Sequence, residues 1–324
     1  MKSSPLNKRT LLAEQKTRLQ KFLYGFHGYK KYFSLVLMLL PIIVYFIIFK
    51  YVPMYGVTLA FKDYNIREGI IGSPWVGLKY FEKAFSSRLF LRSVRNTLII
   101  SLMQLVISFP APIIMALMLN EVTHKRYKSV IQTITYLPHF ISWVIMAGIF
   151  QQLLSPSNGA VNSILQTFFG LEKPIYFLGD NNYFRGTLVV TSVWKGVGWG
   201  SILYLATISN IDTSLYEAAE CDGATRWQCM WYITLPSLLP TITVMLILNV
   251  GSFLDVGFDQ VFNLYNAAVY ETGDVIETYV YREGLVGMKY SFSTAVNLFK
   301  NVIGFILVTS TNFLSKKISG NGIW

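Results

Sequence analysis

Apolar runs and short polar breaks alternate along this chain. Six apolar stretches approach the roughly 20 residues that a helix needs to cross a bilayer. They lie near 33–50, 96–119, 130–154, 188–208, 238–257 and 294–314. The pattern predicts an all-α integral membrane protein with six transmembrane helices and both termini on one side. Pro110 and Pro112 fall in the second stretch and Pro138 in the third. Proline in a spanning helix frees backbone carbonyls, which is tolerated where neighbours or a cavity satisfy them. Packing geometry and a bundle bent around a pathway both fit these prolines. Three longer breaks, 51–93, 155–187 and 257–291, carry turn formers such as Pro53, Gly56, Gly72, Pro74 and Ser157-Asn158-Gly159. On the outer side they would form a rim on which an external protein lands.

The most informative break is residues 209–237, a polar, helix-prone island between two apolar stretches. Ser214 and Glu217 have the spacing of a capping box. Ala218 and Ala219 leave little side chain beyond the backbone. Asp222-Gly223 is a turn signal, and the glycine allows positive φ at a helix end. A second helix of about nine residues is expected from Ala224, with Trp227, Met230 and Trp231 on one face. Leu235-Pro236 is expected to end it. A helix, glycine turn and helix with a small-residue surface is a docking element for a soluble partner.

Composition agrees with a membrane location. The 324 residues are 53% hydrophobic and 14% charged, against about 25% charged in soluble domains. Basic residues choose the inner side. Residues 1–32 hold eight Lys/Arg against one acid, and Lys125, Arg126, Lys128, Arg226, Lys316 and Lys317 add to the same face. The loop 51–93, with six basic and three acidic residues, runs against this bias. The balance favours cytoplasmic termini. Most of the +11 net charge sits in residues 1–32, beside the first span, which suits anionic lipid rather than nucleic acid. There Leu11, Leu12, Leu19, Phe22 and Leu23 interleave with Lys16, Arg18 and Lys21, as in an interfacial amphipathic helix. The segment lacks a cleavable signal pattern, so the first apolar run is expected to remain as a span. Cys221 and Cys229 both lie in the island, where a reducing compartment implies no disulfide.

Charges inside spans are costly and usually functional. Lys195 lies in the fourth stretch, where Gly196, Gly198 and Gly200 leave space beside it. It either faces a pathway or pairs with Asp255 or another buried acid. Lys300, in the sixth, either snorkels outward or serves function. The chain has no Gly-x-x-x-x-Gly-Lys-Ser/Thr phosphate loop. With three histidines, His27, His124 and His139, no metal cluster and no catalytic Ser/His/Asp set can be assembled.

Glu217, Ala218, Ala219, Gly223, Ile233, Leu235 and Pro236 match, spacing included, the EAA loop of ABC-importer permeases. The segments Trp194–Trp199, Leu205-Ala206, Ile211–Tyr216, Tyr136–Ser142 and Leu153–Gly159 resemble the carbohydrate branch of that family. The resemblance covers most of the chain from residue 33 onward. It implies a basic cytoplasmic segment at 1–32 and a type I permease domain at 33–324, in a bacterial cytoplasmic membrane. A second permease, two cytoplasmic ATPase subunits and an extracytoplasmic solute-binding protein are implied as partners. ATP and magnesium would sit on the ATPase, with no cofactor in this chain and no enzyme activity of its own. Glu217, Ala218, Ala219, Asp222, Gly223, Ala224, Ile233, Leu235 and Pro236 would couple to the ATPase. Lys195, Gly196 and Trp199, with Asn249, Ser252 and Phe253, fall where sugar-contacting residues sit in the maltose importer's larger permease. Asn249 and Phe253 are four apart and would share a helix face. An aromatic plane suits a pyranose and an amide its hydroxyls. A lysine would add a preference for acidic sugars, such as oligosaccharides from alginate or pectin. The basic amino terminus favours a heterodimer with the second permease.

Other readings remain open. One is a permease for another solute, such as an amino acid or phosphate. A second is a membrane-embedded enzyme using Asp255 and Asp259 at i, i+4. The third is a secondary transporter driven by an ion gradient.

Overall fold

The computed structural model describes residues 33–319. The basic segment 1–32 and its expected interfacial helix lie outside the described residues. Two compact units divide the chain between Thr58 and Leu59.

The amino-terminal unit contributes most of one long helix, Phe33–Phe61. It outruns the apolar stretch 33–50 because Pro53 does not stop it. A wide π turn at Ile47–Tyr51 precedes that proline. In such a turn the bonds skip one residue further back, so the ring meets a loosened backbone rather than a tight α ladder.

The second unit holds four more helices long and apolar enough to span a bilayer: Arg88–Glu121, Asn181–Ser209, Arg226–Gly251 and Tyr290–Lys317. The same device recurs twice. A π turn at Gln104–Ser108 leads into Pro110, and one at Met230–Thr234 leads into Pro236. Each proline then occupies a first helical turn, where no N–H is missed. The Arg226–Gly251 helix therefore starts well inside the polar island, twelve residues before the apolar stretch that announced it.

The third stretch is not one straight helix. Lys125–Phe140 and Trp143–Leu153 meet at a bend of 108°. Pro138 closes the first piece in a 3₁₀ turn, and Ser142 restarts the second, its hydroxyl accepting from the Ile145 N–H. Among the described residues, five helices are thus long and apolar enough to span, or six with the bent pair taken as one.

Within this unit the Asn181–Ser209 helix packs most extensively on Pro110–Glu121 and also touches Lys125–Tyr136 and Leu235–Gly251. Two of its glycines permit this. A Cβ at Gly198 would collide with the Thr135 carbonyl, and one at Gly200 would lie 2.8 Å from Pro112. Of Gly196, Gly198 and Gly200, only Gly196 has open space beside it, so the three glycines do not clear room around Lys195 as expected. Ile113, Leu119, Tyr204, Ile208 and Leu238 form an apolar core near the island. A second core gathers Ile100, Met146, Phe184, Leu188, Val261 and Leu264. The connection between the last two long helices is anchored to the bundle. Asn96 donates to the Glu271 and Asp274 carbonyls, Gln260 donates to the Leu188 carbonyl, and fully buried Asp274 pairs with Arg282 at 2.7 Å.

Candidate functional site

The island folds as one short helix, Thr213–Cys221, a glycine turn, and the start of the Arg226–Gly251 helix. Its cap is Asp212, which accepts from the Ser214 N–H at 3.0 Å, and not Ser214 with Glu217. Aspartate caps as well as serine, and starting two residues earlier adds half a turn of helix. That backbone bond holds the Asp212 carboxyl below the usual carboxylate range. Gly223 has φ +79°. The Gly223 N–H donates to the Glu220 carbonyl and the Ala224 N–H to Ala219, the two bonds of a Schellman close.

The expected second helix does not end at Leu235-Pro236. Thr225 caps it in a capping box with Gln228, and the backbone stays helical into the membrane stretch. Ile233, Leu235 and Pro236 sit where the π turn passes into the long helix. Glu217 and Ala218 are exposed, as are Trp227 and Trp231, while Ala219 and Ala224 are half-buried. A groove of about 470 Å³ runs beside them, bordered by Glu121, Tyr216, Glu220, Arg226 and Met230. The Tyr216 hydroxyl meets the Thr234 hydroxyl at 2.9 Å, fastening the short helix to the long one. Cys229 is buried and Cys221 exposed, both as free thiols.

Of the expected pathway residues, Asn249, Ser252 and Phe253 line one cavity of about 290 Å³. They are not on one helical face, because the helix ends at Gly251. Phe253 reaches the cavity from the turn that follows. Ser101, Gln104, Ser108 and Ser192 supply most of the remaining polar lining. The buried Ser101 and Ser108 hydroxyls have no hydrogen-bond partner. Sequence reasoning missed these groups, although Ser101, Gln104 and Ser108 follow i, i+3, i+7 through an apolar run, which marks one polar helix face.

Lys195, Gly196 and Trp199 are not in that lining. The Lys195 ammonium donates to the Pro138 carbonyl at 3.2 Å and the His139 carbonyl at 2.8 Å, 5.5 Å from the Trp143 ring centre. It binds carbonyls at the end of the broken helix, as cations do at helix C-termini, sharing that of Pro138 with the Ile141 N–H. Trp199 stacks on His139 at 4.5 Å, so that histidine is a packed residue.

The pairing of Lys195 with Asp255 does not form. Asp255 pairs with Lys300 rather than Lys195, and Lys300 also binds Glu277 at 3.0 Å. The Lys300 side chain is 11% exposed, so it does not snorkel. Asp255 lies in the turn after the Arg226–Gly251 helix, and Asp259 lies in the next helix, Phe258–Leu264. The i, i+4 pair needed for a carboxylate enzyme is absent.

A model of the "binding-protein-dependent transport system inner membrane component" family matches residues 108–319. This chain belongs to that family. The match takes in the island, Lys300 and the cavity lining from Ser108 onward. Protein LplB of Bacillus subtilis (strain 168) is 45% identical over 290 residues, 90% of this chain and 91% of that one. The polygalacturonan/rhamnogalacturonan transport system permease protein YteP of the same organism is also 45% identical, over 90% of both chains. In the crystal structure of a bacterial ABC transporter that imports the acidic polysaccharide alginate, one chain superposes with a TM-score of 0.83 at 44% identity. That alignment covers 93% of this chain and 99% of the other. A second structure of a bacterial alginate transporter, in complex with its pentasaccharide-bound periplasmic protein, gives a TM-score of 0.84, also at 44% identity and over 91% and 98% of the two chains. The chain is an inner-membrane transport permease with the ABC permease fold, not a catalytic enzyme.

Proposed function

We propose that this permease forms one half of the translocation path of an ATP-driven importer for acidic oligosaccharides. The carrying observation is the exposed Glu217-Ala218 edge of a helix closed by Gly223 and fastened to a continuous membrane helix through Tyr216 and Thr234. Small side chains let a soluble partner approach the backbone closely. Two cytoplasmic ATPase subunits would grip this edge, with ATP and magnesium bound on them. Their closure would move the long helix and with it Asn249 and the cavity beyond.

Alternating access of this kind requires each state to be favoured by a different ligand. Here the second permease and a substrate-loaded extracytoplasmic binding protein supply the other interfaces. The bent pair counts as one span in this reading, which gives six and leaves both termini cytoplasmic. Residues 1–32 would be a basic cytoplasmic segment, and residues 33–324 the permease domain. Support for acidic oligosaccharides comes from the relatives above, one a polygalacturonan/rhamnogalacturonan permease and others parts of alginate importers.

Cross-linking tests the reading. Cys221→Ser with Ala218→Cys places a single reactive thiol on the exposed edge. In the assembled complex it should cross-link to an ATP-hydrolysing subunit from the cytoplasmic side. A thiol that reacts only with impermeant reagents added outside the cell would end the proposal. Uptake by vesicles with an ion gradient and no ATP would point instead to a secondary transporter.

A further inference from the structure

Lys300 stands between two spaces. Asp255 belongs to the lining of the interior cavity that also contains Asn249 and Phe253. Lys300 and Glu277 belong to a separate cavity of about 720 Å³, together with Tyr64, Phe258, Tyr281 and Tyr290. One ammonium thus joins the linings of both. Its two carboxylates are unequal. The Asp255 side chain is 51% exposed and can be rehydrated when released, whereas that of Glu277 is 18% exposed. One Glu277 oxygen, Oε2, is buried without a partner. A buried lysine needs a neutralising partner, and Glu277 alone satisfies the charge. The second carboxylate on Lys300 is therefore exchangeable. The larger cavity offers four aromatic rings as flat apolar surfaces beside this cation, the combination that suits a sugar ring bearing a carboxylate.

We propose that Lys300 is the carboxylate-reading cation of this permease, and that Asp255 occupies it in the substrate-free state as an internal stand-in for a uronate carboxylate. The proposal rests on the reading of the substrate as an acidic oligosaccharide. It moves charge recognition from Lys195, whose ammonium is committed to the Pro138 and His139 carbonyls, to a lysine at the junction of the two cavities. An incoming uronate displaces Asp255 toward solvent, and its carboxylate takes the vacated donor on Lys300. The site holds the same charge before and after. A neutral sugar has no group that can complete the exchange, so the Asp255 pair stays closed against it.

The test uses the whole reconstituted complex, with its ATPases and binding protein, in proteoliposomes. Uptake of an oligogalacturonate is compared with uptake of its carboxyl-reduced, neutral counterpart of equal length. The binding protein is the same throughout, so its own selectivity cancels when variants are compared with wild type. Lys300→Met should lower the acidic-to-neutral uptake ratio about tenfold, the scale of one lost bond to a charged group, while Lys300→Arg keeps it. Asp255→Asn removes the stand-in and should lower the apparent KM for the acidic sugar without doing so for the neutral one. An unchanged ratio in Lys300→Met, or an Asp255→Asn variant that alters both sugars alike, overturns the inference. Should Lys300→Met fail to assemble, the Asp255→Asn result decides alone. If the wild-type complex takes up neither sugar, or both equally, the acidic-oligosaccharide reading itself falls and the inference falls with it.

Discussion

Replacing Gly223 by valine tests the proposed docking role of its turn. Gly223 has φ +79°, and a Cβ built there meets nothing within 4 Å. The cost of the substitution is therefore conformational and not steric crowding by neighbours. A non-glycine residue held in the left-handed region costs about 1–3 kcal/mol, and a β-branched one belongs at the upper end. The alternative is for the residue to return to negative φ. That breaks the Gly223–Glu220 and Ala224–Ala219 bonds and re-aims the Thr213–Cys221 helix. Either route reduces the population of the docking geometry by about five- to 150-fold. The turn is on the surface, so the membrane helices should keep their melting temperature. The assay is uptake per ATP hydrolysed by the reconstituted complex, with Gly223→Asn as control, since asparagine tolerates positive φ. Valine should uncouple hydrolysis from uptake and asparagine should largely preserve it. Normal coupling in the valine variant would refute the assignment of this turn to the ATPase interface.

Two further predictions concern packing and pH. Gly198→Ala should lower the thermal stability of the detergent-solubilised protein by about 1–3 kcal/mol through overpacking against the Thr135 carbonyl, while Gly196→Ala, with open space, should leave it unchanged. A second contrast lies in Tyr80, whose phenol donates to Asp63 and whose pKa is pushed up to about 12 by burial and then by that bond. A raised folded pKa means this contribution is complete below pH 10 and fades as pH rises through about 12. The Asp63 carboxyl is lowered by Tyr80 and Lys79, so its contribution is present above the ordinary carboxylate range and fades as pH falls through the lowered value. Ultraviolet difference titration against Tyr80→Phe should show the late-ionising phenol, and Asp63→Asn should bring it back toward 10.

The helix and glycine turn of the island were legible in the sequence because their signals are local. A positive-φ glycine and two alanines each act within a few positions, and Gly223 and Ala218 stand where those rules put them. Most of the misplaced features involve wide turns or distant partners; the cap is the exception, taken by Asp212 two residues before the expected Ser214. Pro236 reads as a stop, yet the π turn at Met230–Thr234 carries the helix through it. No periodicity announces such a turn. Lys195 reads as a charge that faces a path or pairs with a buried acid, but its partners are carbonyls 56 and 57 positions away. Lys300 finds Asp255 and Glu277 at 45 and 23 positions. Composition identifies a buried cation as important without saying which acid answers it. The polar face of Ser101, Gln104 and Ser108 was visible in spacing and needed only to be read as a cavity wall.

The unbroken helix from Arg226 to Gly251 has a mechanical consequence. Arg226 and Asn249 are 23 residues apart, about 35 Å along the axis at the standard rise. Over such a rod a tilt of about 5° carries the far end roughly 3 Å, the length of one hydrogen bond. A small push at the Arg226 end is therefore enough to remake or break polar contacts around Asn249 at the other, with no hinge needed between the two.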